Sequence, residues 1–141
     1  MEKCKELLFA YIEALYPIIY INHFDFKIID ELLLSVGKGV NIIEYNNGLG
    51  EVDFNTKKQV KESTLDKFLL NSINKGNEGQ TYIVLKDVHN YLEDPKVIAL
   101  LKRIAEDNFY KEDYHTTIFI ISNKVVVPNE FENYINILNL P

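Results

Sequence analysis

Apolar residues recur three and four apart at Cys4, Leu7, Leu8, Tyr11, Ile12 and Leu15, which is one face of a helix. Pro17 ends that run and leads into Ile18-Ile19-Tyr20-Ile21, an unbroken apolar stretch of the kind that forms a strand buried on both faces. Ile28, Ile29, Leu32, Leu33 and Val36 predict a second helix, closed by Gly37. Val40 to Tyr45 predicts a second strand. The polar stretch from Asn46 to Lys61 reads as a loop with a turn at Asn47-Gly48. Leu65, Phe68, Leu69 and Ile73 predict a third helix ended by Gly76, and Thr81 to Leu85 a third strand. Asp94-Pro95 has the form of an N-cap followed by a proline in the first turn, ahead of the stripe Val97, Ile98, Leu101, Ile104 and Ala105. Thr116 to Ile121 predicts a fourth strand, Pro128 the start of a short helix, and Tyr134 to Leu138 a final strand.

Helices thus alternate with apolar strands along the whole chain. That alternation predicts an α/β fold: a three-layer α/β/α sandwich around a five-stranded parallel sheet, forming one domain over residues 1–141. Right-handed crossovers then bring every strand's carboxyl end to one edge of the sheet.

Composition narrows the function classes. A chain of 141 residues buries roughly two-thirds of its unfolded surface. With 47% apolar and 26% charged residues it needs no staple to hold a core. The net charge of −6 argues against nucleic acid and anionic membrane surfaces as partners. The basic cluster Lys57, Lys58 and Lys61 reads as solvated loop. The single cysteine, Cys4, excludes an internal disulfide and reads as core; with no apolar run of membrane length and no signal-peptide pattern, a cytoplasmic location is expected.

Ligands of open parallel sheets bind beyond the strand carboxyl ends. There the chain places Asn22, His23, Asp25, Asn46, Asn47, Asp87, His89, Asn123 and Lys124. Tyr82-Ile83-Val84-Leu85-Lys86-Asp87 has the form of a Walker B strand, and Thr117 to Asn123 that of a sensor strand. The turn after the first strand is different. A phosphate loop needs glycines and a lysine there, and this chain has Asn22-His23-Phe24-Asp25. Gly37-Lys38 stands after a helix, the reverse context. Val88 occupies the place of a water-activating glutamate, and the sole arginine, Arg103, lies within a helix. Several parts of phosphoryl-transfer chemistry are therefore missing. His23, Asp87 and His89 are metal-ligand types without a metal-ligand spacing. Ser122 lacks a nucleophile-elbow context. The bland assignment has Asn22, Asp87 and Asn123 satisfying turn and helix amides, Asp87 capping the turn into the next helix, and His89 facing solvent. Tyr91, Phe109, Tyr110 and Tyr114 are candidates for an exposed aromatic surface.

These segments resemble a particular family. Leu15-Tyr16-Pro17-Ile18-Ile19-Tyr20-Ile21, the run from Ile83 to Ile98 with its Leu-Lys-Asp-Val-His core, and Thr117 to Ser122 followed by Val127-Pro128-Asn129-Glu130-Phe131-Glu132 are similar to segments of AAA+ ATPases related to a conserved plastid open reading frame. Asn22, Phe24 and Tyr45 depart from that pattern, where Thr, Glu and Trp are usual. The resemblance implies a degenerate AAA+ core without Walker A, with sheet order 5-1-4-3-2. It implies the N-terminal part of a longer ATPase whose downstream module uses ATP and magnesium.

The expected function is assembly or partner recognition, with no catalytic residue, cofactor or metal in this chain. Its partners would be the downstream AAA+ module or other subunits, copies of itself included. Asn22, His23, Asp87, His89 and Asn123 are the candidate ligand, Walker B-like or sensor-like positions. The alternatives are a nucleotide or small-ligand domain without hydrolysis, and a metal-dependent hydrolase.

Overall fold

The computed structural model describes residues 2–23, 25–75, 79–108 and 115–139. The elements run α1 (Glu2–Glu13), β1 (Ile18–Asn22), α2 (Phe26–Val36), β2 (Asn41–Asn46), β3 (Gly50–Val52), β4 (Gln59–Lys61), α3 (Leu65–Lys75), β5 (Thr81–Lys86), α4 (Pro95–Asp107), β6 (Thr116–Ser122) and β7 (Ile135–Asn139). Short 3₁₀ turns at His89–Tyr91 and Asn129–Phe131 follow β5 and precede β7.

One sheet holds all seven strands in the order β4-β3-β2-β5-β6-β1-β7. Its parallel part, β2-β5-β6-β1-β7, has the strand order that the resemblance implied. The expectation of a five-stranded, wholly parallel sheet needs correction, because β3 and β4 extend it as antiparallel strands. The stretch read as a polar loop is therefore a pair of hairpin connections. Each strand is only three residues long; β4 is exposed throughout, and the buried positions of β3 are only Gly50 and Val52, too short an alternation to stand out in the sequence. Gly50 starts β3 at φ +83°, and a Cβ there would stand 2.7 Å from the Ser63 amide nitrogen.

The central strands are buried on both faces. Ile18 and Tyr20 of β1 pack with Ile83, Leu85, Ile118 and Ile120 against Phe68, Leu69, Val97 and Leu101 of α3 and α4. Ile19 and Ile21 pack with Val84, Phe119 and Ile121 against Leu8 and Ile12 of α1 and Ile29, Leu32 and Leu33 of α2. Fully burying each such side chain contributes about 1.5–3 kcal/mol, which makes these two layers the main source of stability.

Helix α1 departs from its expected stripe. Only Leu8 and Ile12 are buried; Leu7 is exposed and Cys4 half-buried. The helix stops at Glu13, and Leu15 leaves it at φ +61° into solvent. Gly37 closes α2 as expected, for a packing reason. Its φ is −111°, open to any residue, but a Cβ would come within 2.6 Å of the Tyr82 ring. Gly76, Phe109, Tyr110 and Tyr114 lie outside the described residues; Tyr91 is exposed.

Candidate functional site

β5, β6 and β1 lie side by side in the sheet, so Asp87, Asn123 and Asn22 stand at neighbouring strand ends on the carboxyl edge. Their side chains do not form one cluster of shared contacts. The Asn22 side chain turns towards β7, where its Nδ2 donates to Asn139 Oδ1 at 2.9 Å. Asn123 and Lys124 are exposed in the turn after β6.

The turn from β1 into α2 is where a phosphate loop would stand. Asp25 is the N-cap of α2, and its Oδ1 accepts from the amides of Lys27 at 3.1 Å and Ile28 at 3.3 Å. The Asp25 amide donates in turn to His23 Nδ1 at 3.0 Å. First-turn amides form the anion site of a helix N-terminus. Here those amides already bond a carboxylate of the chain, whose negative charge would also repel a phosphate. Phe24 lies outside the described residues.

Asp87 sits at φ +56°, and its amide donates to Ile121 O at 3.0 Å. The expectation that it caps the turn into the next helix is corrected: the 3₁₀ turn at His89–Tyr91 starts from Val88 with no side-chain cap, while Asp94 caps α4 as expected, accepting from Lys96 N at 2.9 Å. His89 does not simply face solvent. It is half-buried, with Nδ1 2.9 Å from the buried Ser122 Oγ, and the direction of that hydrogen bond follows the histidine tautomer. Ser122 Oγ also accepts from the Lys124 amide at 3.1 Å. Tyr20 OH donates to Lys124 O at 2.5 Å and accepts from Val126 N at 3.4 Å. Burial is the main cause that lifts the Tyr20 phenol above its ordinary pKa. This network fastens the exit of β5 to the loop after β6. Ser122 resembles a catalytic serine only in having a histidine neighbour, since it is wholly buried and serves the loop. Among the described residues, no three His, Cys, Asp or Glu side chains gather as a metal ion would require.

A second group was missed in the sequence. Lys86 ends β5 only 2% exposed and Glu44 lies in β2 only 1% exposed, their Nζ and Oε1 3.2 Å apart. Asp30 of α2 meets Lys86 Nζ at 2.8 Å. Lys57, in the β3–β4 connection, completes the set at 2.7 Å from Glu44 and 2.9 Å from Asp30, with its ammonium over the Phe54 ring at 3.8 Å. Burial alone would lower the Lys57 pKa; the bonds to Glu44 and Asp30 outweigh it and raise the group above its ordinary value. Lys57 is thus no solvated loop residue. The signal was a glutamate inside the apolar run Asn41-Ile42-Ile43-Glu44-Tyr45, because a charge buried in a sheet demands a partner. Both lysines are matched by carboxylates, so this group neutralises itself.

A family model described as "SpoVK-like AAA ATPase, N-terminal domain" matches residues 4–140. That match bears out the resemblance to an N-terminal AAA-like domain, without extending to the plastid reading frame. Comparison with curated proteins and with solved structures finds no match.

Proposed function

The chain belongs to the N-terminal domain family of the SpoVK-like AAA ATPases, and we propose that within it this domain serves recognition and assembly, without bond chemistry of its own. The observation that carries this reading is the capped start of α2. The amides that would receive a phosphate bond Asp25 instead, at the one turn where the fold would need glycines and a lysine. The self-neutralised group of Lys86, Lys57, Glu44 and Asp30 supports it too, since both lysines are already paired with carboxylates and neither is left to meet a phosphate charge. On this reading ATP and magnesium belong to a companion AAA module. The domain contributes packing and polar contact to that module, to other subunits or to a protein substrate.

Titration calorimetry of the purified chain with ATP and magnesium tests this. The expected result is no saturable binding and no phosphate release above background. Micromolar binding that disappears in Asp87→Ala would replace the proposal with a ligand-binding domain. Sequencing downstream of codon 141 gives a second test: a G-x-x-x-x-G-K-[ST] motif is expected in the companion module.

A further inference from the structure

We propose that Asn47 is a self-modifying site, where the Gly48 amide nitrogen attacks the Asn47 side chain and converts the residue to aspartate and isoaspartate. The reaction needs only water. The Gly48 nitrogen gives its proton to base and forms a bond to Asn47 Cγ. The Cγ–Nδ2 bond breaks, Nδ2 takes up a proton and leaves as ammonia, and a five-membered succinimide ring remains. Water then adds to one of the two ring carbonyls. Opening at Cγ gives aspartate. Opening at the main-chain carbonyl carbon gives isoaspartate, in which the backbone runs through the side chain.

The chain meets the demands of this reaction at one place. Of all its asparagines, only Asn47 precedes a glycine. A Cβ on the following residue would crowd the attacking nitrogen, and glycine has none. Both reacting groups are free: among the described residues, neither the Gly48 amide nor the Asn47 carboxamide makes a hydrogen bond. The amides on either side are held instead. Asn47 N donates to Lys86 O at 3.0 Å, and Leu49 N closes the turn on Asn46 O at 3.1 Å. Gly48 is exposed at φ +97°, with no atom within 4 Å of the place a Cβ would take, so base and water reach its nitrogen. Ring closure swings the Asn47 carbonyl out of the turn, and the bond that resists this is the single one from Leu49, at the exposed end of a short hairpin. Asn71 also precedes a small residue, but inside α3, where the helix engages the amide of the buried Ser72.

The product alters the carboxyl edge of the sheet. One further negative charge arises between Asn46 and Leu49, which both line the cavity of about 370 Å³ beside α2. Isoaspartate also adds one carbon to the main chain inside a turn that sets the pairing of Asn46 with Gly50. The conversion therefore marks the age of the molecule on the surface where β3 and β4 join the sheet.

Peptide mapping of the aged chain is the test. The folded protein is incubated at about pH 7 and about pH 9, below the range of its phenols, beside the same chain unfolded in urea. Trypsin then releases residues 39–57, which hold Asn41, Asn46 and Asn55 as internal controls. In the folded protein Asn47 should convert to a mixture that contains isoaspartate, at least about tenfold faster at the higher pH because base frees the attacking nitrogen. Asn41, Asn46, Asn55 and Asn71 should stay intact. Gly48→Ala should slow the conversion at least about tenfold. Asn47→Gln, which keeps the glycine and enlarges the ring by one carbon, should slow it as well, so the result does not depend on how alanine fits the turn. Once Asn47 has converted, the Leu49 amide should exchange faster with solvent while amides of β5 and β6 do not. Three results would each overturn the proposal: conversion confined to the unfolded chain, a product free of isoaspartate, or a Gly48→Ala variant that converts as fast as the parent.

Discussion

Glu44 and Lys86 lie on neighbouring parallel strands, one diagonal step apart in register, and their Oε1 and Nζ meet at 3.2 Å beneath α2. Neither could be buried alone. An unpaired charge there would cost several kcal/mol, whereas the pair with Asp30 and Lys57 offsets its desolvation through five short contacts.

Glu44→Ala should destabilise the fold by about 3–5 kcal/mol, because it leaves two lysines to share Asp30. The double variant Glu44→Leu/Lys86→Met should lose less than the sum of its single changes. Lys57→Ala, from a partly exposed position, should cost only about 1 kcal/mol. Urea unfolding of the parent, Glu44→Ala, Lys57→Ala, Glu44→Leu, Lys86→Met and the double variant checks this; additive losses in the last three would show that Glu44 and Lys86 do not interact.

Alkaline pH should weaken the fold. Burial raises the phenols of Tyr20, Tyr45 and Tyr82, and the paired carboxylates raise Lys57. Each folded pKa lies above the unfolded value of about 10. Above that value the unfolded chain gives up protons that the folded chain keeps. The linked stability is complete below about pH 10 and is lost as pH rises through the folded values. Absorbance titration of the nine tyrosines should show a late-titrating fraction that ionises with unfolding. Simultaneous titration of all nine in folded protein would contradict this.

His89→Ala removes the link to Ser122 and should cost about 1 kcal/mol. Its local effect should be larger. Amides of Lys124 and Val126, which bond Ser122 Oγ and Tyr20 OH, should exchange faster with solvent than in the parent, while those of β1 are unchanged. Equal acceleration throughout the sheet would mean that the network does not act locally.

Gly50→Ala should damage the β3–β4 extension by about 1–3 kcal/mol, since the new Cβ meets both a positive φ and the Ser63 amide. Gly39→Ala also meets a positive φ but has no atom within 4 Å of the new Cβ, so it should cost less. Thermal unfolding of the two variants separates strain from contact. An equal loss in both would assign the whole effect to φ.

Much of the fold was legible because its evidence is local. A strand covered on both faces must be apolar at every position, as Ile18 to Ile21 and Ile118 to Ile121 are. A helix that covers a sheet must repeat its apolar residues every three or four, as Val97 to Ala105 do. The Asp94 cap and the missing phosphate loop are likewise short-range facts. Asp87 and His89 were located on the right edge, but the partner of His89 was not legible, because Ser122 is 33 residues away.

By itself, then, the sequence determined the alternation of helices and strands, the apolar core and the lack of a phosphate-binding turn, all of which depend on residues near one another along the chain. Only the tertiary structure decided that the sheet is mixed, that Asp25 blocks the start of α2, and that Lys57 and Lys86 share Glu44 and Asp30. Hydrogen bonds and ion pairs act over about 3 Å in space, and their partners can stand tens of residues apart, so local pattern cannot rank one pairing above another. Packing made that choice by burying Glu44 and Lys86 together where neither could remain charged alone.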